Sequence, residues 1–191
     1  DLSFSPNGRY IAVGVMRRIT QQGGGISVPS LPMRSLAVID RNGREQTAFI
    51  SAVYPTWTAD GRLLMADPDK PGLFITDGSL KNLRAIPNVP NGRIDGISVS
   101  PDNKQIAFAL NDRIWLINMD GTHLRQLTES GLNEVTPVWS PDGKYLAFQQ
   151  SIKEKKEFFN VIVVRMSDRK FQHITDGQGV NREPNGTMNW N

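Results

Sequence analysis

The sequence of 191 residues predicts an all-β fold, a β-propeller built of four-stranded antiparallel blades. One short module recurs four times: an aromatic or apolar residue, a tight turn and an apolar strand, as in residues 139–148. The turns begin at Ser5, Thr58, Ser100 and Ser140, which are 53, 42 and 40 residues apart. A period of roughly 40 to 50 residues with short strands indicates one blade per repeat. A helical array is excluded because no apolar 3.6-residue period extends over about twelve residues.

Each position of the recurring turn has a physical role. The Ser or Thr hydroxyl can bond forward to the backbone, Pro presets φ at the second position, and Asp or Asn suits the third. Gly8, Gly61 and Gly143 then supply a left-handed residue, and Asn103 takes that position in the third copy. Asn tolerates this conformation best after Gly, so Asn103→Gly is expected to be neutral or slightly stabilising. The pattern predicts a three-residue hairpin loop that closes on a bulge.

The repeats divide one domain into blades at about 1–51, 52–93, 94–134 and 135–185, with a fragment at 186–191. A fifth copy of the module begins at Trp190. The first copy starts at an innermost strand, and neither end of the sequence offers a spare outer strand for closure. We therefore expect the four blades to be part of a larger propeller, and the isolated 191-residue protein to self-associate through its open blade edges.

The complete module resembles the WD-like propeller repeat of the TolB family. The resemblance rests on aromatic-Ser-Pro-Asp-Gly-Lys at residues 139–144, the strand Leu146-Ala147-Phe148, an Asp-Gly turn, and Leu-x-x-Leu-Thr at 124–128. It covers nearly the whole sequence. It implies a non-enzymatic, periplasmic or exported scaffold that binds a protein partner, although this sequence contains no signal peptide.

The same repeat is shared by the propeller domains of prolyl-oligopeptidase-type and tricorn-type peptidases. The alternative is therefore an accessory propeller that screens access of substrates to a hydrolase domain. A full-length reading frame that continues into an α/β-hydrolase segment would favour this alternative, and further propeller repeats alone would favour the scaffold.

The sequence shows no constellation of catalytic or metal-binding residues. It has no Cys and therefore no thiolate, and its two histidines, His123 and His173, are not accompanied by a Gly-x-Ser-x-Gly elbow. Asp67 and Asp69 flank Pro68, and we interpret them as turn formers rather than as ligands of a cation. We expect neither an enzyme activity nor a cofactor.

Charge and hydropathy exclude two further classes of partner. The 22 basic and 19 acidic residues give a net charge of +3 and are interspersed, which indicates a solvated surface rather than a nucleic-acid footprint. No apolar run approaches the roughly 20 residues that span a bilayer. We expect no nucleic acid and no membrane insertion.

The long connections predict where a protein partner binds. In a propeller, the loops between the second and third strands share one face with the connections between blades. The segments 16–34, 67–72 and 151–159 should open on that face, and variable loops on a rigid scaffold often carry recognition. The residues predicted to contact a partner are Arg17, Arg18, Arg34, Arg93, Lys153, Lys155 and Lys156, which give the face a mildly basic character. Trp57, Trp139 and Trp190 are predicted to pack between blades.

Overall fold

The computed structural model describes residues 2–18, 32–153 and 155–175. Within these ranges the protein forms sixteen strands and no helix. In sequence order the strands are β1 (Leu2–Phe4), β2 (Tyr10–Arg18), β3 (Pro32–Asp40), β4 (Glu45–Ile50), β5 (Val53–Trp57), β6 (Leu63–Asp67), β7 (Lys70–Thr76), β8 (Leu83–Ala85), β9 (Ile94–Val99), β10 (Gln105–Leu110), β11 (Arg113–Asn118), β12 (Arg125–Gln126), β13 (Glu134–Trp139), β14 (Tyr145–Ile152), β15 (Lys155–Arg165) and β16 (Lys170–His173).

Four consecutive strands make each blade. The four sheets are β1–β4, β5–β8, β9–β12 and β13–β16, and every neighbouring pair is antiparallel. The predicted all-β fold with four-stranded blades is confirmed. The start of the fifth repeat at Trp190 lies outside the described residues.

The recurring turn has the predicted hydrogen bonds. Ser140 O accepts from Gly143 N at 2.9 Å, and Ser140 Oγ donates to Asp142 Oδ1 at 2.7 Å and accepts from Tyr145 N at 2.9 Å. The Ser140 hydroxyl and the Lys144 amide lower the pKa of Asp142 to about 2. Gly143 has φ of 69°, and Asn103, at the same turn position, has φ of 58°. The prediction of a left-handed residue at this point is therefore confirmed in both copies.

The second copy of the turn is one residue shorter than the others. Thr58 Oγ1 accepts from the amide of Arg62, four residues on, whereas Ser140 Oγ accepts from an amide five residues on. Pairing confirms the difference, since Trp57 stands opposite Leu63 and Trp139 opposite Leu146. The predicted three-residue loop is therefore confirmed for the second copy and wrong for the other three, which have four residues between the hydrogen-bonded ends of the turn.

The innermost strands of the last three blades share a backbone irregularity that the sequence pattern does not predict. Tyr54, Gly96 and Thr136 each lie four residues before the Ser or Thr of their turn, and their φ values are 54°, 123° and 51°. The ladders between the first and second strands shift register beside these residues, as expected of a β-bulge. A Cβ at Gly96 would approach Thr136 Cα of the next blade to 2.7 Å, so close approach of two bulges requires glycine there.

Three clusters of buried apolar side chains hold successive blades together. The first joins Leu36 and Val38 of the first blade to Trp57 and Met65 of the second. Equivalent clusters join the second blade to the third and the third to the fourth. Among the described residues no cluster joins the fourth blade to the first, which fits a segment of a larger ring.

The two tryptophans are packing residues, as predicted. Trp57 belongs to the cluster between the first two blades, stacks on Tyr10 with ring centroids 6.5 Å apart, and donates from Nε1 to Ser3 O at 3.0 Å. Trp139 belongs to the cluster between the last two blades. Phe4 occupies the same repeat position in the first blade but is 63% exposed, and its neighbour Leu2 is 52% exposed. The first blade thus presents the type of surface that a preceding blade covers elsewhere in the protein.

Candidate functional site

The turns between second and third strands lie beside the connections that enter each blade. Asn111 N donates to Arg93 O at 3.0 Å, and Ser151 N donates to Asn133 O at 2.8 Å. These bonds join a hairpin turn to the connection that precedes the same blade. We call the surface formed by residues 67–71, 92–95, 111–113, 130–134 and 151–153 the loop face.

The hairpins on this face are more regular than the predicted long loops. Strand β6 ends at Asp67 and β7 begins at Lys70, and Asp67 Oδ1 accepts from Asp69 N at 2.9 Å. This bond confirms the interpretation of the two aspartates as turn formers. The prediction of a loop over 151–159 is wrong, because β14 extends to Ile152 and β15 begins at Lys155. The two strands pair Ser151 with Phe159 and, after a register shift, Ile152 with Lys155.

The segment 16–34 is also partly strand. Strand β2 continues to Arg18 and β3 begins at Pro32, with Arg17 paired to Met33 and Met16 to Arg34. The remainder of the predicted loop, residues 19–31 with Gly23-Gly24-Gly25, lies outside the described residues. Continuous antiparallel pairing satisfies backbone groups that an irregular loop would leave to water.

The seven residues predicted to contact a partner lie in three regions. Arg17, Arg18 and Arg34 are on the β2–β3 hairpin, Lys153, Lys155 and Lys156 are on or beside the β14–β15 turn, and Arg93 is in the connection before β9. Arg93 and Lys153 are the two whose side chains the structure describes. Both belong to the loop face, but they lie on different blades, so they do not form one described cluster.

A groove of about 610 Å³ opens on the loop face between the second and third blades. Its walls are the β6–β7 turn and the start of β9, and the lining residues are Val53, Tyr54, Ala66, Asp67, Pro68, Asp69, Lys70, Pro71, Gly92, Arg93, Ile94 and Asp95. Arg93 stands at its edge with a side chain that is 66% exposed. Its Nη2 lies 2.7 Å from Asp112 Oδ1, and its Nε lies 2.9 Å from Asp95 Oδ2.

The carboxyl of Asp95, in this groove, has a raised pKa. Burial raises the pKa of its carboxyl, the charge of Arg93 lowers it, the charge of Asp112 raises it, and a long bond of 3.5 Å from the Tyr54 hydroxyl lowers it. The Arg93 Nε–Asp95 Oδ2 contact is close enough for an ion pair, yet Oδ2 has no aligned hydrogen bond. A carboxylate that is half desolvated and imperfectly paired can accept a further donor from a ligand.

The described part of the groove is electrostatically mixed. Lys70 and Arg93 face Asp67, Asp69 and Asp95, and the charge of Arg93 is neutralised by its two carboxylate neighbours. The predicted basic character of the loop face thus depends on the arginines and lysines of the two hairpins. The groove offers donors and acceptors together, which suits a polypeptide better than a polyanion.

Tyr54, Asp95 and Asp112 were not predicted from the sequence as site residues. The turn Asn111-Asp112 is recognisable from the sequence as a hairpin. The residues around it give no indication of the ion pair between Asp112 and Arg93, nineteen residues earlier. Tyr54 and Asp95 meet because their strands are equivalent strands of neighbouring blades. An alignment of the repeats against one another would have placed them on adjacent innermost strands.

The buried carboxylate of Glu134 is held by hydrogen bonds that connect two blades. It is fully buried and accepts from Ser130 Oγ at 2.7 Å, from Gln150 Nε2 at 2.9 Å and from Thr128 Oγ1. These bonds connect the end of the third blade with the first two strands of the fourth. Glu134 therefore fixes a joint between blades.

His123 and His173 do not line the groove between the second and third blades. His123 is exposed in the β11–β12 turn, where its Nδ1 lies 2.9 Å from Asn118 Nδ2, and His173 is exposed on β16. Across residues 2–18, 32–153 and 155–175 there is no cluster of three potential metal ligands. The same residues include no helix long and apolar enough to cross a membrane.

Solved structures of known proteins share this architecture. The TolB structure from Acinetobacter baumannii aligns with a TM-score of 0.70 over 92% of this chain and 43% of its own, at 18% identity. A putative TolB from Agrobacterium tumefaciens aligns with a TM-score of 0.61 over 95% of this chain and 83% of its own, at 17% identity. The protein has a TolB-like β-propeller fold. At these identities the likeness concerns the fold alone.

Curated sequence relatives are peptidase proteins. A putative tricorn-like protease C-terminal subunit of Sulfurisphaera tokodaii is 36% identical over 91 residues, which is 47% of this chain and 10% of the relative. Dipeptidyl-peptidase 5 of Porphyromonas endodontalis is 25% identical over 95 residues, 44% of this chain and 14% of the relative. The matches thus span about a tenth to a seventh of these relatives. No protein-family model matches the sequence.

Proposed function

We propose that this TolB-like propeller is a non-enzymatic protein-interaction module that binds a protein partner through its loop face. The observation that carries the proposal is the groove between the second and third blades, where exposed Arg93 is held by Asp95 and Asp112. A fixed arginine on a rigid scaffold binds with little loss of conformational freedom. By resemblance to TolB, we also propose that the protein is exported.

The chemistry of the groove favours an extended polypeptide segment as the bound element. Arg93 can donate to a peptide carbonyl, and the imperfectly paired Asp95 can accept from a peptide amide. The turn Asp67–Lys70 forms one wall and supplies further charged groups of both signs. If the partner is acidic, the arginines and lysines of the two hairpins add electrostatic steering that weakens with salt.

The test measures partner binding by the full-length protein and three matched variants. One variant reverses charges at Arg17, Arg18 and Lys155, and a second carries Arg93→Ala. A control reverses charges at Arg9, Arg44 and Lys81, which are exposed in turns of the first two blades on the opposite face. We expect the first to weaken binding of an acidic partner in a salt-dependent way and the second to weaken binding by about tenfold, as for a lost hydrogen bond to a charged group. Loss of binding only in the control, or retention of every wild-type partner by both test variants, would contradict a loop-face site.

A second candidate is the accessory propeller of a tricorn-type or prolyl-oligopeptidase-type peptidase, in which the propeller screens substrates. The observation that favours it is the identity to the tricorn-like subunit and to dipeptidyl-peptidase 5. Under this function the loop face would contact substrate peptides on their way to a hydrolase domain.

The full-length gene product separates the two candidates. A hydrolase segment with Ser, Asp and His, together with release of dipeptides from chromogenic peptide substrates, would support the peptidase function. A gene product that contains further propeller repeats and no hydrolase segment would support the scaffold.

A further inference from the structure

A second groove, of about 700 Å³, lies between the third and fourth blades on the face opposite the loop face. Tight turns of both blades form it, and we call this surface the turn face. The lining residues are Ser100, Pro101, Asp102, Lys104, Gln105, Asn118, Met119, Asp120, Arg125, Trp139, Asp142, Gly143 and Met166. The function proposed above does not involve this groove.

Arg125, on the short outer strand β12, is a cation without a partner. Its side chain is half-buried, and its enclosed Nε has no hydrogen-bond partner among the described residues. The same part of the protein gives it no ion pair. A guanidinium carries five donors and remains charged, so enclosure without an acceptor is costly.

Trp139 is a second donor without an acceptor in the wall of this groove. It is 8% exposed, and its buried Nε1 has no hydrogen-bond partner among the residues that the structure describes. The equivalent Trp57 in the second blade donates from Nε1 to Ser3 O. The described region between the third and fourth blades thus lacks acceptors for two buried N–H groups.

The carboxylates that line the groove are already bound within their own turns. Asp142 accepts from Ser140 Oγ at 2.7 Å, Asp102 from Ser100 Oγ at 2.6 Å, and Asp120 from Thr122 Oγ1 at 2.7 Å. The nearby charge that acts on Arg125 is of its own sign. Burial, and then the charge of Arg169, lower the pKa of Arg125.

We propose that the turn-face groove binds a carboxylate group of a polypeptide, with the Arg125 guanidinium as its main contact. The planar fork of an arginine matches a carboxylate with two parallel hydrogen bonds. Pro101, Met119 and Met166 supply apolar surface for a side chain of the bound polypeptide next to the carboxylate. Methionine side chains adapt to varied shapes. An Asp or Glu side chain and the terminal carboxylate of a polypeptide share this chemistry.

Three labelled peptides test the proposal against the full-length protein: acetyl-Ala-Leu-Glu-Leu-Ala-amide, its Gln counterpart, and the Gln peptide with a free terminal carboxylate. Fluorescence anisotropy measures affinity, and the indole ¹⁵N–¹H resonance of Trp139 reports the location. We expect at least one carboxylate peptide to bind about tenfold or more tightly than the neutral peptide and to shift this resonance. The peptide that does so identifies the source of the carboxylate.

The protein offers a matched control for Arg125. Arg84 occupies the same position of the second blade, opposite Ile75 as Arg125 is opposite Leu116, but it is exposed. Arg125→Met should remove the preference for carboxylate, Arg125→Lys should retain part of it, and Arg84→Met should leave it unchanged. Arg125→Lys also maintains the test if Arg125→Met fails to fold.

Three results with bound peptide would overturn the proposal. They are equal affinities for the neutral and both carboxylate peptides, equal effects of Arg125→Met and Arg84→Met, and binding that leaves the Trp139 resonance unmoved. Absence of any binding at millimolar peptide would count against it equally. Charge reversal at Arg17, Arg18 and Lys155 should not affect these peptides, which distinguishes this groove from the loop face.

Discussion

Replacement of Gly143 by valine isolates the contribution of backbone conformation to the recurring turn. Gly143 has φ of 69°, a region that L residues with branched side chains rarely adopt. The nearest atom to a Cβ built at this position is Pro101 Cδ at 3.7 Å, an ordinary contact distance. A side chain therefore has room, and any loss of stability arises from the dihedral angles rather than from a clash.

The expected cost follows from the energy of the left-handed region. For an L residue it is about 1 to 2 kcal/mol, and a β-branched residue raises it, so Gly143→Val should lower the free energy of unfolding by about 1 to 3 kcal/mol. Gly143→Asn is the matched control, since Asn103 adopts φ of 58° at the same point of the third blade. It should cost less than about 1 kcal/mol.

Thermal unfolding measures the difference between the two variants. For a protein of this size, 1 kcal/mol corresponds to about 2 to 4 °C in Tm, so Gly143→Val should lower Tm by roughly 2 to 12 °C. Gly143→Asn should remain close to the wild type. Equal Tm values for the valine and asparagine variants would refute the reasoning, because they would show that the turn does not require a left-handed residue.

The structure also revises the expectation for Asn103→Gly. The turn alone predicts a neutral or slightly stabilising change. However, Asn103 Oδ1 accepts from Ala59 N of the preceding blade at 2.8 Å. Loss of this bond should offset the relief of backbone strain, and the net change should be a destabilisation of at most about 1 kcal/mol.

Three further predictions concern the blade interfaces and the loop face. Trp57→Phe should destabilise the protein by about 0.5 to 1.5 kcal/mol more than Trp139→Phe, because only Trp57 loses a hydrogen bond made within the described residues; equal losses in urea titrations would contradict this. Because the pKa of Asp95 is raised, the folded state binds the carboxyl proton more tightly than the unfolded state. Protonation of Asp95 therefore stabilises the fold below about pH 4, and this stabilisation is lost as pH rises through the raised pKa. Asp95→Asn should therefore gain stability relative to the wild type as pH rises above about 4, and a difference that does not change with pH would count against the assignment. The isolated 191-residue protein should self-associate and bind a hydrophobic dye through exposed Leu2 and Phe4, and the double serine variant should bind less dye; a monodisperse wild-type monomer without dye binding would show that this face is already covered.

The features that could be predicted from the sequence are those in which one residue type has one conformational role. The left-handed conformations of Gly143 and Asn103 were predicted from residue type and position in the turn. One blade per repeat was predicted from the spacing of the turns. Trp57 and Trp139 were assigned to the interfaces because they stand at a fixed position before the turn. In each case local chemistry and repeat position agree.

Other features depend on contacts that the local sequence does not contain. Tyr54 and Thr136 have positive φ without being Gly or Asn, since the neighbouring strands impose the bulge. The Arg93–Asp112 ion pair joins the entry of a blade to a hairpin of the same blade. The lengths of the β2–β3 and β14–β15 hairpins were underestimated because their charged residues are typical of loops, whereas the backbone pairing of these central strands continues into both segments.

The clusters between blades have a consequence for how the number of blades in such a propeller changes in evolution. Strand β6 directs Leu63 and Met65 to the cluster shared with the first blade, and Leu64 and Ala66 to the cluster shared with the third. Each internal blade therefore carries both halves of the contact, one on either face. Duplication of a single repeat in the gene would therefore insert one blade together with one contact surface of a kind already present. The number of blades would change by one, and the new blade would offer an apolar face to each neighbour.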